Sequence, residues 1–271
     1  MRYIRLVVTV LFIASVVFFG YVKYSEHTKI DNTLPTISGP AEPLEILCDY
    51  EENDLLRGLS AYDEKDGDIT TEIMVDNLIP SLDKGRCTVN YVVFDSSNHP
   101  ATFSREVIFT DYRSPEIYLS KPMVFLENAN EDIFSYVGAT DVIDGDITSL
   151  LHMNTNTNML EPGNYSLNIE ATNTLGDFLE LEIPVHIIDT ASSRINIKLT
   201  ENVVYIKSNE VINPAEYIES VTTGDGIPHE KSIVNVESNV ITTKPGVYEI
   251  IYTAEINAST KGFTSLLVIV E

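Results

Sequence analysis

The chain has 271 residues, of which 44% are hydrophobic and 21% are charged, enough apolar material for packed cores. Acidic residues outnumber basic ones by 41 to 17, which gives a net charge of −24 at pH 7. Binding to nucleic acid takes most of its affinity from Lys and Arg at phosphates, so this charge argues against nucleic acid as a partner.

The first predicted element is an apolar helix over residues 6–22, which carry no charge. Its length is at the short end of the roughly 17–25 residues that a membrane-spanning helix needs. A cleaved secretory signal is the alternative, but no A-x-A pattern follows the apolar run. Arg2 and Arg5 precede the helix, and basic flanks resist translocation. We therefore predict a single-pass anchor in the cell membrane, with residues 1–5 in the cytoplasm and the C-terminal region extracellular.

After a predicted linker over 23–33, the sequence repeats itself. The pattern A-x-D-x-x-D-G-D-I-T occurs at Ala61–Thr70 and again at Ala139–Thr148, a spacing of 78 residues. The closing segments Val107–Asp111 and Val185–Asp189 keep the same spacing. A register held without insertion over a whole unit indicates structural repeats.

A third, more divergent copy follows the first two. Lys244–Tyr248 resembles Glu161–Tyr165, whereas the acidic motif is reduced to Gly224–Ile227. These matches predict three domains. Domain 1 covers 34–111, domain 2 covers 112–189 and domain 3 covers 190–271.

Within each unit the pattern predicts β-strands. Cys87–Phe94 and Tyr165–Ala171 place apolar residues largely at every second position, as in half-buried antiparallel strands. Each run ends at a polar turn, and a second alternating run follows, so the pattern predicts a β-hairpin. We interpret the final run Phe263–Val270 in the same way. Short strands separated by Gly, Asn, Asp and Pro, in units of about 80 residues, favour two-sheet sandwiches. The predicted fold class is all-β.

Three stretches of domain 1 carry a family resemblance: D-L-L-R-G-L-S-A-Y-D-E-K-D-G-D-I-T, K-G-R-C-T-V-N-Y-V-V-F-D-S-S-N-H-P-A-T and V-I-F-T-D. They resemble the bacterial immunoglobulin-like repeat named after a pesticidal crystal protein and common in surface proteins of Gram-positive bacteria. The resemblance covers most of 34–189 and fades in domain 3. It implies seven-strand immunoglobulin-like sandwiches that serve as stalk or adhesive modules rather than catalysts. Cys87 departs from the family pattern, which has tyrosine there, as at Tyr165 and Tyr248.

The acidic motif suggests a metal site. Its carboxylates are Asp63, Asp66 and Asp68 in domain 1 and Asp141, Asp144 and Asp146 in domain 2. Three carboxylates within six residues offer the hard oxygen ligands that Ca²⁺ prefers, so calcium is the one candidate cofactor. The alternative is turn chemistry, because Gly accepts positive φ and Asp hydrogen-bonds to its own backbone.

The two cysteines, Cys48 and Cys87, both lie in domain 1 at positions typical of a core. Burial as thiols is one interpretation. A disulfide is the other, since the predicted location is oxidising, provided that the Cα atoms lie about 4.4–6.8 Å apart.

No sequence pattern indicates an enzyme. The five histidines are scattered, and neither a nucleophile elbow nor a phosphate-binding glycine loop is present. We predict a non-catalytic stalk, adhesion or protein-binding module at the cell surface, which binds a protein or glycan through domain 3. The candidate contacts are Tyr205, Tyr217, Tyr248 and Tyr252. The alternative is a non-catalytic subunit of a bacterial envelope complex for secretion, cell-wall or sensor functions.

Overall fold

The computed structural model describes residues 2–27, 32–129, 131–155 and 161–271. Part of the predicted linker (28–31) and two parts of domain 2 (130 and 156–160) lie outside the described residues. The apolar segment forms one helix, α1 (Arg2–His27), within which Tyr3–Tyr24 is long and apolar enough to cross a membrane. This helix extends beyond the predicted 6–22 at both ends.

Domain 1 is a β-sandwich of two antiparallel-rich sheets. Its described elements are β1 (Thr36–Ser38), β2 (Leu44–Ile46), α2 (Glu52–Leu55), β3 (Ser60–Asp63), β4 (Gly67–Asp68), a 3₁₀ turn (Thr70–Glu72), β5 (Met74–Pro80), β6 (Arg86–Phe94) and β7 (Pro100–Phe109). One sheet has the order β1-β3-β4 and the other β2-β7-β6-β5, with β2 parallel to β7. The predicted alternation of β6 is confirmed, because Cys87, Val89, Tyr91 and Val93 are all fully buried.

Domain 2 repeats this topology. Its described elements are β8 (Glu116–Leu119), β9 (Val124–Leu126), a 3₁₀ turn (Ile133–Tyr136), β10 (Val137–Asp141), β11 (Gly145–Asp146), a second 3₁₀ turn (Thr148–Leu150), β12 (His152–Thr155), β13 (Gly163–Thr172) and β14 (Phe178–Ile188). The sheets have the orders β11-β10-β8 and β12-β13-β14-β9.

Domain 3 keeps the same strand order despite its divergent sequence. Its elements are β15 (Ile195–Leu199), β16 (Val203–Ile206), a 3₁₀ turn (Pro214–Tyr217), β17 (Ile218–Thr223), β18 (Pro228–His229), a second 3₁₀ turn (Lys231–Ile233), β19 (Val234–Ser238), β20 (Gly246–Asn257) and β21 (Thr260–Val270). The sheets have the orders β15-β17-β18 and β16-β21-β20-β19. The predicted all-β class, three tandem sandwiches after an apolar helix, is therefore confirmed.

The chain divides into two compact units. Unit 1 comprises 1–79 and 86–110, and unit 2 comprises 80–85 and 111–271. Domains 2 and 3 thus belong to one compact body. The precise domain limits stay a prediction.

Domains 2 and 3 are joined by strand β21, which is buried on both faces. Leu266, Val268 and Val270 belong to the core of domain 3. The alternate side chains, Leu267 and Ile269, belong instead to the core of domain 2. Full burial of a large aliphatic side chain contributes about 1.5–3 kcal/mol, so these two residues stabilise the association appreciably.

Polar contacts reinforce this packing. The hydroxyl of Tyr205 accepts a hydrogen bond from the backbone N–H of Ile117 at 2.7 Å, and Asn202 donates to the carbonyl of Leu119 at 3.0 Å. Nε2 of His186 lies 2.5 Å from Oε1 of Glu249, and both side chains are buried. These three contacts give polar groups of Tyr205, Asn202 and Glu249 partners in the neighbouring domain.

Candidate functional site: the acidic turn of the repeats

The acidic turn of domain 1 is organised by Asp63, the last residue of β3. Its side chain is fully buried, and its Oδ1 accepts hydrogen bonds from the backbone N–H groups of Lys65 (2.8 Å) and Asp66 (3.0 Å) and from the hydroxyl of Thr33 (3.2 Å). Gly67 closes the turn at φ +79°, a conformation that favours glycine. One oxygen of Asp63 is thus committed to shaping the turn.

The other two carboxylates of the motif face other donors. Asp66 accepts hydrogen bonds from the backbone N–H (2.7 Å) and hydroxyl (2.8 Å) of Ser96, in the turn between β6 and β7. Asp68 accepts from the N–H of Thr70 at 3.0 Å, and hydrogen bonds from Thr70 lower the pKa of this carboxyl. The three aspartates of the motif therefore serve three separate local contacts.

Domain 2 reproduces the arrangement. Asp141 accepts from the N–H groups of Ile143 and Asp144, both at 2.9 Å. Asp144 accepts from Thr174, and Asp146 accepts from Thr148. Over the described ranges, no group of three or more His, Cys, Asp or Glu residues is arranged to hold a metal ion. Calcium binding by the six predicted aspartates stays a prediction.

The second oxygen of the buried aspartate has a donor in domain 2. Nδ2 of Asn173 donates to Oδ2 of Asp141 at 2.9 Å and to the hydroxyl of Tyr112 at 2.8 Å. That hydroxyl donates to Oδ2 of Asp177 at 2.9 Å, and Nζ of Lys84 lies 2.9 Å from Oδ1 of the same carboxylate. The result is a closed network of one amide, one hydroxyl, one ammonium and two carboxylates.

This network sets the charge state of Asp177. Burial by itself would raise the pKa of Asp177, but hydrogen bonds from Lys84, Ser114 and Tyr112 outweigh it and hold the pKa below its usual range. Burial raises the pKa of the Tyr112 hydroxyl. The carboxylate is therefore ionised and the hydroxyl remains a hydrogen-bond donor at neutral pH.

The corresponding place in domain 1 carries different residues. Asp95 stands where domain 2 has Asn173, His99 replaces Asp177, and Leu34 replaces Tyr112. Oδ1 of Asp95 accepts from the N–H groups of Ser97 and His99, both at 2.8 Å, and its Oδ2 lies 2.7 Å from Nδ1 of His99. Among the residues that the structure describes, none donates to Oδ2 of Asp63. Asp95 is not among the site residues predicted from the sequence, although its alignment with Asn173 at the repeat spacing was a signal that could have identified it.

The cysteines are buried, as one of the two sequence interpretations expected. Cys48 and Cys87 are present as thiols, and burial raises the pKa of Cys87 to about 11. Cys87 lies on β6, Cys48 follows β2, and β7 separates these two strands in the sheet. The Cys48–Cys87 disulfide stays a prediction.

The tyrosines predicted as ligand contacts serve the packing of domain 3. Tyr252 is fully buried and donates to the carbonyl of Pro214 at 2.9 Å, while Tyr205 bonds to domain 2. Tyr217 and Tyr248 are half-buried against the domain 3 core. The prediction of a ligand contact is wrong for Tyr252, because its side chain is fully buried. For Tyr205, Tyr217 and Tyr248 it stays a prediction.

A groove of about 550 Å³ lies between domains 2 and 3 within unit 2. Strands β9 and β15, each at the edge of its sheet, line it together with apolar side chains that include Leu126, Ile188 and Phe263. Lys121 and Lys198 also line it. We call this feature the edge-strand groove.

Comparisons with solved structures return remote similarities. The chain is 18% identical to a structure of the second CBM51 domain in complex with GlcNAc and INT domains of Clostridium perfringens ZmpB, with 54% of this chain and 26% of that chain covered and a TM-score of 0.23. For Drosophila N-cadherin EC1-4 the identity is 10%, the coverage is 89% of this chain and 76% of that chain, and the TM-score is 0.24. For the protocadherin gamma B4 extracellular domain the identity is 10%, the coverage is 89% of this chain and 50% of that chain, and the TM-score is 0.21.

The chain spans between a quarter and a third of the two ZmpB structures that it matches. No protein-family model and no curated protein matches the chain. The sheet topology of the protein itself shows tandem β-sandwiches after an apolar helix.

Proposed function

We propose that this protein is a non-catalytic protein-binding module of a bacterial cell surface, anchored in the membrane by α1. Domains 1 to 3 act outside the cell as a stalk and binding head of immunoglobulin-like repeats. The observation that carries the proposal is the edge-strand groove between domains 2 and 3.

The chemistry of the groove suits an extended segment of a partner protein. Edge strands expose backbone N–H and C=O groups that pair with an added strand. Here β9 and β15 supply two such edges, and apolar side chains such as Leu126 and Phe263 give pockets for alternate side chains of the segment. Lys121 and Lys198 also line the groove, but each is already paired with a carboxylate, that of Glu131 and that of Glu219, so the proposal rests on the strand edges and the apolar side chains.

Location is tested by protease treatment of intact cells. The proposal predicts that residues after α1 are digested without permeabilisation. Protection in intact cells, with digestion only after lysis, would place the sandwiches inside the cell and contradict the proposal.

Binding is tested by placing a photo-crosslinking residue at Asn196, an exposed position of β15 in the groove, in the full chain in its native membrane. The matched control places it at Asn235, an exposed position of β19. We expect a partner to be cross-linked from position 196 and not from position 235. The purified partner segment should then bind the full chain. Asn196→Trp should block this binding, whereas Asn235→Trp should not. Equal cross-linking from both positions would contradict the groove as the binding site. If the partner is an integral component of an envelope complex, the result would favour the alternative that this chain is a subunit of such a complex.

A further inference from the structure

The acidic turns of domains 1 and 2 can be superimposed contact by contact. Asp63 pairs with Gly67 as Asp141 pairs with Gly145. Ser96 donates to Asp66 as Thr174 donates to Asp144, at 2.7 Å in both. These shared contacts fix the acidic turn against the next hairpin turn in the same way in both domains.

The hairpin turns also match. The N–H of Asp95 donates to the carbonyl of His99 at 3.2 Å, and the N–H of Asn173 donates to the carbonyl of Asp177 at 3.1 Å. In domain 2 this geometry brings Oδ2 of Asp141 to 2.9 Å from the amide of Asn173. In domain 1 the residue at the position of Asn173 is Asp95, and Oδ2 of Asp63 has no hydrogen-bond donor among the described residues.

The two carboxylates of domain 1 are withdrawn from water. Asp63 is 0% exposed and Asp95 is 5% exposed. Oδ1 of Asp95 accepts hydrogen bonds from the N–H groups of Ser97 and His99, and its Oδ2 lies 2.7 Å from Nδ1 of His99. A buried charge without a compensating partner is strongly destabilising. The oxygen without a partner among the described residues is Oδ2 of Asp63, whereas in domain 2 the amide of Asn173 donates to the corresponding oxygen of Asp141.

We propose that Asp63 and Asp95 of domain 1 bind a hard divalent cation, Ca²⁺ or Mg²⁺. Oδ2 of Asp63, which has no hydrogen-bond donor among the described residues, and Oδ2 of Asp95, which also lies 2.7 Å from Nδ1 of His99, supply the ligands, and water completes the coordination. One or two carboxylates with several waters is a usual ligand set for Mg²⁺, and Ca²⁺ accepts similar oxygen donors. This site differs from the predicted motif site, because it takes one aspartate from the acidic turn and one from the hairpin turn. It is independent of the edge-strand groove.

The proposed site occurs in domain 1 alone of the first two repeats. In domain 2, Asn173 already donates a hydrogen bond to Asp141, so that position has no need of a cation. Extracellular modules with few protein ligands bind Ca²⁺ with dissociation constants of about 10⁻⁴–10⁻³ M. We expect affinity in that range.

The experiment is calorimetric titration of the full chain in detergent micelles with calcium or magnesium chloride after chelator treatment. We expect one ion per chain for the wild type. Asp95→Asn places in domain 1 the amide that domain 2 has at Asn173. This change should abolish binding of the ion, and it should raise the thermal midpoint of unfolding measured in chelator. Asp225→Asn, a change in the reduced motif of domain 3, is the matched control and should leave the stoichiometry at one.

Three outcomes would overturn the proposal. The first is a wild-type chain that binds neither ion at millimolar concentration. The second is binding that survives Asp95→Asn, which would place the ion elsewhere. The third is a wild-type thermal midpoint that does not change with either ion but rises on mild acidification. A proton rather than a metal ion would then neutralise Asp63 and Asp95.

Discussion

Domains 1 and 2 share one acidic turn but complete it differently. In domain 2 both oxygens of the buried Asp141 accept hydrogen bonds, and the neighbouring Asp177 has the ammonium of Lys84. In domain 1 Oδ2 of Asp63 has no donor among the described residues, and a second buried carboxylate, Asp95, takes the place of the amide. A repeat can therefore keep its backbone while the side chains around its buried aspartate change: Asp95, His99 and Leu34 stand in domain 1 where domain 2 has Asn173, Asp177 and Tyr112.

The largest expected effect comes from making domain 2 resemble domain 1 with Asn173→Asp. This change removes the donor to Asp141 and to Tyr112 and buries an additional carboxylate beside them. Loss of a partner in a buried charged network costs about 3–5 kcal/mol. We expect the free energy of unfolding of unit 2, measured by urea denaturation of the full chain in chelator, to fall by that amount.

The control for this change is Asn235→Asp, which adds the same charge at an exposed position of β19. Surface substitutions of this kind usually alter stability by less than about 0.5 kcal/mol. If calcium restores the stability of Asn173→Asp, the carboxylate pair is sufficient to form a cation site. A loss no larger than that of the control would contradict the role assigned to the amide.

A second contrast separates the two faces of β21. We expect Ile269→Ala, on the face toward domain 2, to lower the free energy of unfolding by about 2–4 kcal/mol, because truncation of a buried aliphatic residue leaves a cavity. Hydrogen exchange should accelerate in domains 2 and 3 together. Ile256→Ala, at a half-exposed position of the same hairpin, is the control and should change little. Acceleration confined to domain 3 would show that the two domains unfold independently.

The sequence predicted the strands of the repeats better than their association. Alternation within Cys87–Phe94 correctly indicated which side chains of β6 are buried. The final run Phe263–Val270 was interpreted as a further half-buried strand, although the unbroken apolar character of Leu266–Val270 is typical of a strand covered on both faces. Even so, the surface that covers it depends on the shape of domain 2, which local periodicity does not encode.

The candidate site was predictable only in part for a related reason. Asp-Gly pairs indicate turns, and Asp66 and Asp68 do serve turn contacts. The proposed pairing of Asp63 with Asp95, however, joins residues more than 30 positions apart. It depends on how a hairpin turn folds back on the acidic turn, and only the three-dimensional structure provides this information.

The smallest expected effect concerns Lys84, whose ammonium group helps to hold the pKa of Asp177 below its usual range. A carboxyl with a lowered pKa in the folded state stabilises the protein above its unfolded pKa of about 3.9, and that stability is lost as pH falls through the folded pKa. Lys84→Met raises the pKa of Asp177, so the acid-induced loss should begin at higher pH and stability at pH 7 should fall by about 1 kcal/mol. Lys198→Met, which removes an ion pair with the exposed Glu219, should leave the acid profile unchanged. Identical pH profiles of urea midpoints for Lys84→Met and wild type would show that Tyr112 and Ser114 alone keep Asp177 ionised.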